Sequence, residues 1–178
     1  MRGKDRVTIQ CGCCYNFVED RLGNPPGILR YDEVDPLPSE IKKMIKKMVR
    51  WSILLADFIL NSCIISIYNE EDCNPPHIDH HDFVIPFYMV SFMSRINILF
   101  GKEVDIVGFG EFRESVEIPL QMGSLIILKG NETDLTMHCI FRVRHHKVFV
   151  TFRRMEESKV SHGFHPDPEL EELRPYEL

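Results

Sequence analysis

The stretch VEIPLQMGSLIILKGNE, residues 116–132, contains two short apolar runs that each stop at turn-forming residues. Short runs rich in β-branched side chains, with Gly, Ser or Asn between them, are typical of strands joined by tight turns. Five more such runs occur after Asn61, and a βαβ arrangement would need helices between them, so a sandwich or jelly roll is predicted. The five runs are CIISIYN (63–69), YMVSFMS (88–94), INILF (96–100), LTMHCI (135–140) and KVFVTFR (147–153).

One amphipathic helix is predicted before these strands, over residues 39–54. Its apolar positions repeat at i, i+3, i+4, i+7 and i+8, with lysines on the opposite face. Ser39, directly after Pro38, is a suitable N-terminal cap. We expect the apolar stripe to pack against a sheet. The stripe consists of Ile41, Met44, Ile45, Met48 and Val49.

The fold class predicted from these patterns is mainly β (α+β). It is a double-stranded β-helix, or jelly roll, with the N-terminal amphipathic helix packed on it. The length of 178 residues suits one domain. Within it we expect a loop-rich start at 1–38, the helix at 39–54, a jelly-roll core at 63–154 and an acidic, proline-rich tail at 155–178.

Composition limits the classes of protein. Hydrophobic residues make up 44% of the chain and charged residues 27%, which are ordinary globular values. No apolar run reaches the roughly 18 residues that a membrane helix needs, and the first ten residues lack the apolar segment of a secretory signal. We therefore expect a soluble protein of the cytoplasm or nucleus, with no membrane partner and as a monomer.

Charge is unevenly distributed along the chain. The net charge of −6 argues against a broadly basic nucleic-acid binder. Acidic residues concentrate in the tail, however, while several cations share the predicted helix, so the composition permits an RNA partner without predicting one. These cations are Lys42, Lys43, Lys46, Lys47 and Arg50.

The six cysteines are scattered along the chain. The sequence CGCC at 11–14 has no matching Cys or His pair at zinc-finger spacing. Reduced, buried thiols are favoured over a zinc site or a disulfide in an intracellular protein.

The stretch NPPHIDHHDF, residues 74–83, contains two overlapping His-x-Asp patterns. His-x-Asp supplies two ligands of the 2-His-1-carboxylate triad that holds non-haem Fe(II). The spacing alone does not choose between the copies, and a third copy near the C-terminus shows how easily the pattern arises. The copies are His77-Ile78-Asp79, His80-His81-Asp82 and His165-Pro166-Asp167.

A distal ligand and two cations complete a candidate oxygenase set. His138 lies in the strand-like LTMHCIF, and Lys147 and Arg153 belong to one predicted strand. Their even separation puts both cations on one strand face, where they could hold a co-substrate with two carboxylates. Taken singly, His138 is better explained as a hydrogen-bonded core histidine and Arg153 as a surface charge at a strand end. Taken together, in this order on a β scaffold, the residues favour an iron and 2-oxoglutarate site.

Several stretches together resemble one family. CCYNFVEDRLGNPPGILR, DCNPPHIDHHDFVIPF, NILFG, GSLIILKGN, HC, VTFRRM and GFHPDPEL are similar to segments of the AlkB family of Fe(II)/2-oxoglutarate dioxygenases. The similarity runs through nearly the whole chain. It is greatest to the plant branch of N6-methyladenosine RNA demethylases, for which PPHIDHHDF is specific.

The resemblance implies roles for particular residues. His77 and Asp79 would be the proximal iron ligands and His138 the distal one. Tyr68, nine residues before His77, would hydrogen-bond 2-oxoglutarate, and Arg153 would pair with one of its carboxylates.

Two positions of the same co-substrate site differ from the family pattern. Ser66 stands where the family usually has asparagine, and Lys147 stands where it has arginine. Lysine keeps the charge but loses the planar bidentate fork.

The resemblance also places a nucleotide-recognition lid within residues 1–38. Tyr15 and Phe17 would hold the methylated base there, with Tyr15 also serving catalysis, while ordinary strand packing is the alternative. The chain starts at this lid, which fits either a trimmed sequence or a short, divergent relative.

The implied function is oxidative removal of an N-methyl group from N6-methyladenosine in single-stranded RNA, with Fe(II) as cofactor and 2-oxoglutarate as co-substrate. A catalytically weakened or inactive RNA-binding relative is the alternative, because Ser66 and Lys147 both affect the co-substrate. A structural zinc site using His77 and His81 at i, i+4 is disfavoured, since Pro75 and Pro76 oppose a helix there.

Overall fold

The computed structural model describes residues 4–19, 23, 25–55, 57–101, 104–108, 111–113, 116–129 and 137–173. Residues 130–132 of the predicted turn, 135–136 of a predicted strand and 174–178 of the predicted tail lie outside these ranges. The helices are α1 Ser39–Arg50 and α2 Pro168–Glu171. The strands are β1 Lys4–Asp5, β2 Val7–Gly12, β3 Tyr15–Asn16, β4 Gly27–Ile28, β5 Ser62–Tyr68, β6 Asp72–His77, β7 Phe83–Phe92, β8 Ile96–Gly101, β9 Asp105–Gly108, β10 Glu111–Arg113, β11 Val116–Leu120, β12 Leu125–Leu128, β13 Met137–Ile140 and β14 Lys147–Met155.

The chain divides into two compact units. Unit one comprises Met1–Ile9, Ile64–His81 and Ile85–Thr151, and unit two comprises Gln10–Cys63, Asp82–Val84 and Phe152–Leu178. Strands β2, β5, β7 and β14 each contribute residues to both units. The predicted single domain stays a prediction.

Unit one is a sandwich of two sheets. One sheet has the order β1-β6-β13-β8-β11, and the other has the order β12-β7-β14-β5-β2. Ile98 and Ile140 of the first sheet share a buried cluster with Tyr68, Met89 and Phe149 of the second. Apolar side chains from two facing sheets therefore form the core, as in a sandwich. The predicted mainly β, jelly-roll fold is confirmed.

The seven strands predicted from the sequence all occur. Most of their described ends shift by two residues or fewer, but β7 begins at Phe83, five residues before its predicted start. Strand β6, with the sequence DCNPPH, was missed because proline is unfavourable in a sheet interior. Strand β1 pairs with β6 at Asp72 and Cys73. Pro75 and Pro76 therefore lie beyond the part of β6 that pairs with β1. The pairing with β13 shifts register opposite these prolines, as at a bulge.

Unit two contains helix α1. Ile41, Ile45, Met48 and Val49 are buried, as the helical spacing predicted, and Met44 is half-buried. The helix ends at Arg50 rather than at 54, so the predicted end was wrong: the backbone turns at Ser52, whose φ is +54°. The packing of α1 on the jelly roll stays a prediction.

The C-terminal segment of unit two is anchored to α1. The Asp167 side chain accepts a hydrogen bond from the Glu169 backbone N–H at the start of α2. Leu170 is buried, and Asp167 and Glu169 both form ion pairs with Lys42 of α1. Within the described ranges, no helix is long and apolar enough to cross a bilayer.

Candidate metal centre and active site

The register of two neighbouring strands positions the candidate metal ligands in unit one. His77, the last residue of β6, lies directly opposite His138 of β13. Asp79 follows β6 by two residues. The irregular pairing opposite Pro75 and Pro76 sets this alignment, because three residue steps on β6 match two on β13.

The three side chains converge closely enough to share one ion. One ligand atom from each of His77, Asp79 and His138 lies within 4.8 Å of the others. The two imidazole centroids are 4.3 Å apart, and His138 Nε2 lies 3.8 Å from Asp79 Oδ2. His77 Nδ1 lies 2.9 Å from the Pro75 carbonyl oxygen. Donation from Nδ1–H to that carbonyl leaves the Nε2 lone pair for a metal.

Burial keeps both imidazoles neutral, which metal binding requires. The pKa of His138 is lowered to about 4, chiefly by burial and also by the nearby His77, while Asp79 opposes the shift. The pKa of His77 is also lowered, chiefly by burial, against the opposing effect of Asp79. Two neutral imidazoles and one carboxylate fit Fe(II), which prefers this donor set in oxygenases.

The second His-x-Asp copy has different surroundings. The His80 and His81 rings stack on one another in unit one, with centroids 4.4 Å apart. Within unit two, Asp82 Oδ1 lies 3.9 Å from Lys159 Nζ, and the Asp82 carbonyl accepts from the Glu156 N–H. Of the two copies, His77 and Asp79 are the ones that meet His138.

The predicted co-substrate residues of β5 lie beside an arginine. Arg6 Nε donates to Ser66 Oγ at 3.3 Å, and its guanidinium carbon is 6.0 Å from the centroid of Tyr68. Tyr68 is buried and meets Phe149 edge to face at 6.1 Å. Arg6 also lowers the pKa of both His77 and His138, as a nearby positive charge does.

Lys147 is fully buried in unit one, and its ammonium is held by protein groups. Lys147 Nζ donates to Ser91 Oγ at 2.5 Å and to the Ser94 carbonyl. It also lies 5.0 Å from the Phe149 ring centroid. Burial lowers the pKa of Lys147 to about 8. These contacts give the cation local partners while keeping it near Phe149, the neighbour of Tyr68.

Arg153 lies in unit two and is also buried. Its guanidinium carbon is 3.6 Å from the Phe83 ring centroid, and Nη2 donates to Ser62 Oγ at 3.1 Å. Nη2 also lies 3.5 Å from Gln10 Oε1. The aromatic face and the two polar groups fix the orientation of this cation.

Gln10 connects Arg153 to the candidate base-binding residues of the same unit. The Gln10 amide donates to the Tyr15 carbonyl at 2.9 Å and accepts from the Tyr15 N–H at 3.3 Å. Tyr15 pairs with Ile28 in the β3–β4 ribbon. The Tyr15 and Phe17 rings are 5.0 Å apart, and Phe17 is about half exposed at 51%. The exposure of Phe17 is compatible with the predicted base-binding role.

Comparison with known proteins identifies the family. No protein-family model matches the chain. The chain is 49% identical to the RNA demethylase ALKBH9B of Arabidopsis thaliana over 178 residues, which is all of this chain and 35% of ALKBH9B. The chain belongs to the AlkB-homologue family.

Other AlkB homologues match at lower identity. The RNA demethylase ALKBH5 of Xenopus tropicalis is 27% identical over 146 residues, covering 76% of this chain and 40% of ALKBH5. The solved structure of OsALKBH1 superposes with a TM-score of 0.53 at 14% identity, covering 85% of this chain and 80% of that one. The latter supports the fold alone. The chain spans about a third of the length of ALKBH9B.

Three polar residues of this AlkB homologue were not predicted from the sequence. Arg6 contacts Ser66, and Gln10 and Ser62 contact Arg153. Their positions depend on which strands become neighbours, and no local pattern carries that information.

The cysteines of this AlkB homologue are all buried free thiols. Burial raises the pKa of Cys13 and Cys63 to about 12 and that of Cys14 to about 11. Among the described residues, no group of three or more metal-ligating side chains within 4.8 Å of one another includes a cysteine. The CGCC stretch of unit two therefore contains reduced, buried thiols, which the sequence favoured.

Proposed function

We propose that the protein is an Fe(II)/2-oxoglutarate-dependent oxidative demethylase of N-methylated nucleobases, acting on N6-methyladenosine in single-stranded RNA. The observation that carries the proposal is the convergence of His77, Asp79 and His138 in a chain 49% identical to an RNA demethylase. The identity supports the substrate class, and the ligand set supports the chemistry.

The metal ligands have defined tasks in this reaction. His77, Asp79 and His138 would hold Fe(II). When bound, Fe(II) with O₂ and 2-oxoglutarate supplies the oxidising power that hydroxylates the N-methyl group. The Pro75 carbonyl keeps His77 oriented for this role through the 2.9 Å contact to Nδ1.

The resemblance to AlkB homologues assigns four side chains to 2-oxoglutarate. Tyr68 and Ser66 offer hydroxyls, and Arg153 offers a charge-assisted pair to one carboxylate. Lys147 supplies a second positive charge. A carboxylate of 2-oxoglutarate would compete with the Ser91 hydroxyl and the Ser94 carbonyl for the Lys147 ammonium. We therefore expect weaker co-substrate binding than an arginine at position 147 would give.

The lid residues would present the methyl group. Tyr15 and Phe17 would stack on the unpaired adenine, and the Gln10 amide would hold Tyr15 through its backbone. The Tyr15 hydroxyl would hydrogen-bond to the base beside the reacting group. The hydroxymethyl product then releases formaldehyde and leaves unmethylated adenosine.

A turnover assay tests the proposal. The protein is incubated with N6-methyladenosine RNA, Fe(II), ascorbate and 2-oxoglutarate, and mass spectrometry follows both adenosine and succinate. We expect both products from the wild type and neither from Asp79→Ala. An active AlkB homologue run in parallel validates the conditions, and no turnover by iron-loaded wild type would refute the proposal.

A non-catalytic RNA-binding role is the second candidate. The hydrogen bonds of Lys147 to Ser91 and Ser94, together with serine at position 66, favour it. Calorimetry of Mn(II)-loaded protein with 2-oxoglutarate separates the two, because only the demethylase needs the co-substrate. Binding at micromolar affinity would exclude the second candidate.

The proposed substrate implies the cellular context. RNA demethylation would take place in the cytoplasm or the nucleus, where RNA occurs, and the protein would act as a monomer. Imaging of a fluorescent fusion and sedimentation of the purified protein would test these two points.

A further inference from the structure

Helix α1 presents a cationic face to solvent within unit two. Lys43, Lys47 and Arg50 are exposed and occupy positions i, i+4 and i+7, which lie on one side of a helix. Trp51 follows directly, and its side chain is 67% exposed although tryptophan normally gains from burial. Lys43 has one weak intrahelical neighbour, Glu40, at 3.7 Å with both side chains exposed. We call Lys43, Lys47, Arg50 and Trp51 the α1 face.

The adjacent stripe of the same helix already binds acidic groups. Lys42 Nζ lies 3.0 Å from Asp167 Oδ2 and 2.9 Å from Glu169 Oε1. Lys46 Nζ lies 2.5 Å from Glu169 Oε2. These contacts neutralise the two lysines nearest the C-terminal segment and anchor that segment. On the α1 face, Lys43 and Lys47 carry exposed charges.

We propose that the α1 face is a second binding surface for single-stranded RNA, separate in sequence from the Tyr15–Phe17 lid. Lys43, Lys47 and Arg50 bind successive phosphates, and the Trp51 indole stacks on one base. Cations that track a backbone, combined with an aromatic platform, are the two elements by which proteins bind single strands without sequence preference.

The chemistry of the surface favours RNA over an acidic protein segment. Carboxylates already pair with Lys42 and Lys46, yet they make no use of an aromatic ring. An unpaired base can stack on Trp51 through its π-face, while phosphates of the same strand bind the neighbouring cations. The helix therefore offers both groups that a nucleotide needs. The partner is identified as RNA on the strength of the proposed function.

The single tryptophan of the chain makes the surface directly observable. Iron-free protein in EDTA, without 2-oxoglutarate, is titrated with an unmethylated single-stranded RNA 12-mer while Trp51 emission is recorded. We expect saturable quenching, with a midpoint that agrees with polarisation of the same labelled RNA. Because the titration contains neither iron nor a methyl group, failure of the demethylation assay would leave its outcome intact.

Variants separate stacking from charge. Trp51→Leu keeps an apolar side chain but removes the platform, and we expect RNA affinity by polarisation to fall about 5-fold or more. The double variant Lys43→Gln/Lys47→Gln loses two phosphate contacts. The plot of log affinity against log salt concentration should therefore become shallower by about 1.4. Arg113→Gln/Lys159→Gln removes the same charge from exposed sites off the helix and should change the slope little. Circular dichroism checks that each variant is folded.

Three outcomes would overturn the proposal. The first is RNA binding by polarisation that leaves Trp51 emission unchanged. The second is an equal loss of affinity in the helix variant and in the charge-matched control. The third is a polyglutamate peptide that quenches Trp51 and displaces the RNA at equal charge concentration, which would assign the α1 face to an acidic protein.

Discussion

At the scale of single residues, two aspartates three positions apart have different neighbours. Asp79 lies beside His138, whereas Asp82 lies near Lys159 in unit two. Both belong to a His-x-Asp pattern, so local sequence treats them alike. Their different neighbours give a direct test of which copy binds metal.

We expect Asp79→Ala to lose metal binding, because two imidazoles remain from a three-ligand site. Asp82→Ala should keep it. Calorimetric titration with Mn(II) measures metal binding by both variants. Metal at a concentration 100-fold above its Kd should raise the free energy of unfolding of the wild type by about 2.7 kcal/mol. Metal binding that survives in Asp79→Ala and disappears in Asp82→Ala would mean that the wrong copy was chosen.

Gly12, within CGCC, provides a second prediction at this scale. Its φ is +75°, and a Cβ there would lie 2.2 Å from the Asn61 carbonyl oxygen. Gly12→Ala therefore combines backbone strain with a clash against backbone, and we expect it to lower the free energy of unfolding by about 3 kcal/mol or more.

Gly163→Ala is the matched control, because its φ is +86° and nothing lies within 4 Å of the added Cβ. It should cost about 1 kcal/mol, from strain alone. Chemical denaturation measures both variants, and equal losses would show that the close approach to Asn61 is unimportant.

At the scale of elements, the ion pairs between α1 and the C-terminal segment respond to pH. Hydrogen bonds from Lys46 and Lys42 lower the pKa of Glu169 to about 2. A carboxyl group whose folded pKa lies below its ordinary value stabilises the folded state above that ordinary value, near 4.5. This stabilisation is lost as the pH falls from there towards 2.

We expect Glu169→Gln to lower the melting temperature above pH 5 and to match the wild type near pH 2. Calorimetry across this range measures the difference. Glu157→Gln, at an exposed site of the same unit, is the control and should show no such pH-dependent difference. A difference that persists at pH 2 would contradict the assignment.

At the scale of the whole molecule, the sandwich core of unit one carries stability. Ile98 is fully buried in the cluster with Tyr68, Ile140 and Phe149. Ile98→Ala would leave a cavity among these side chains and should cost about 2–5 kcal/mol.

Ile127→Ala, on β12, is the comparison because 38% of that side chain is exposed. Its cost should be well below that of Ile98→Ala. Urea unfolding of both variants measures the difference. Equal costs would place the stabilising core elsewhere.

Local patterns were sufficient for seven of the fourteen strands in the described residues and for the start of α1. The strands at 116–120 and 147–155 and the helix that begins at Ser39 follow from apolar periodicity, which depends on near neighbours in sequence. Strand β6 was missed because Pro75 and Pro76 oppose strand formation locally. Pairing with β13 overrides that preference through contacts that sequence spacing does not reveal.

The sequence by itself determined the mainly β fold, the apolar stripe of α1 and the His, Asp and Arg residues available for chemistry. Only the tertiary structure decided that His77 and Asp79, rather than His80 and Asp82, meet His138. It also decided that Lys147 bonds to Ser91 and that Arg6 contacts Ser66. The physical reason is that periodicity reports which face a residue occupies, whereas strand register determines which distant residue lies opposite.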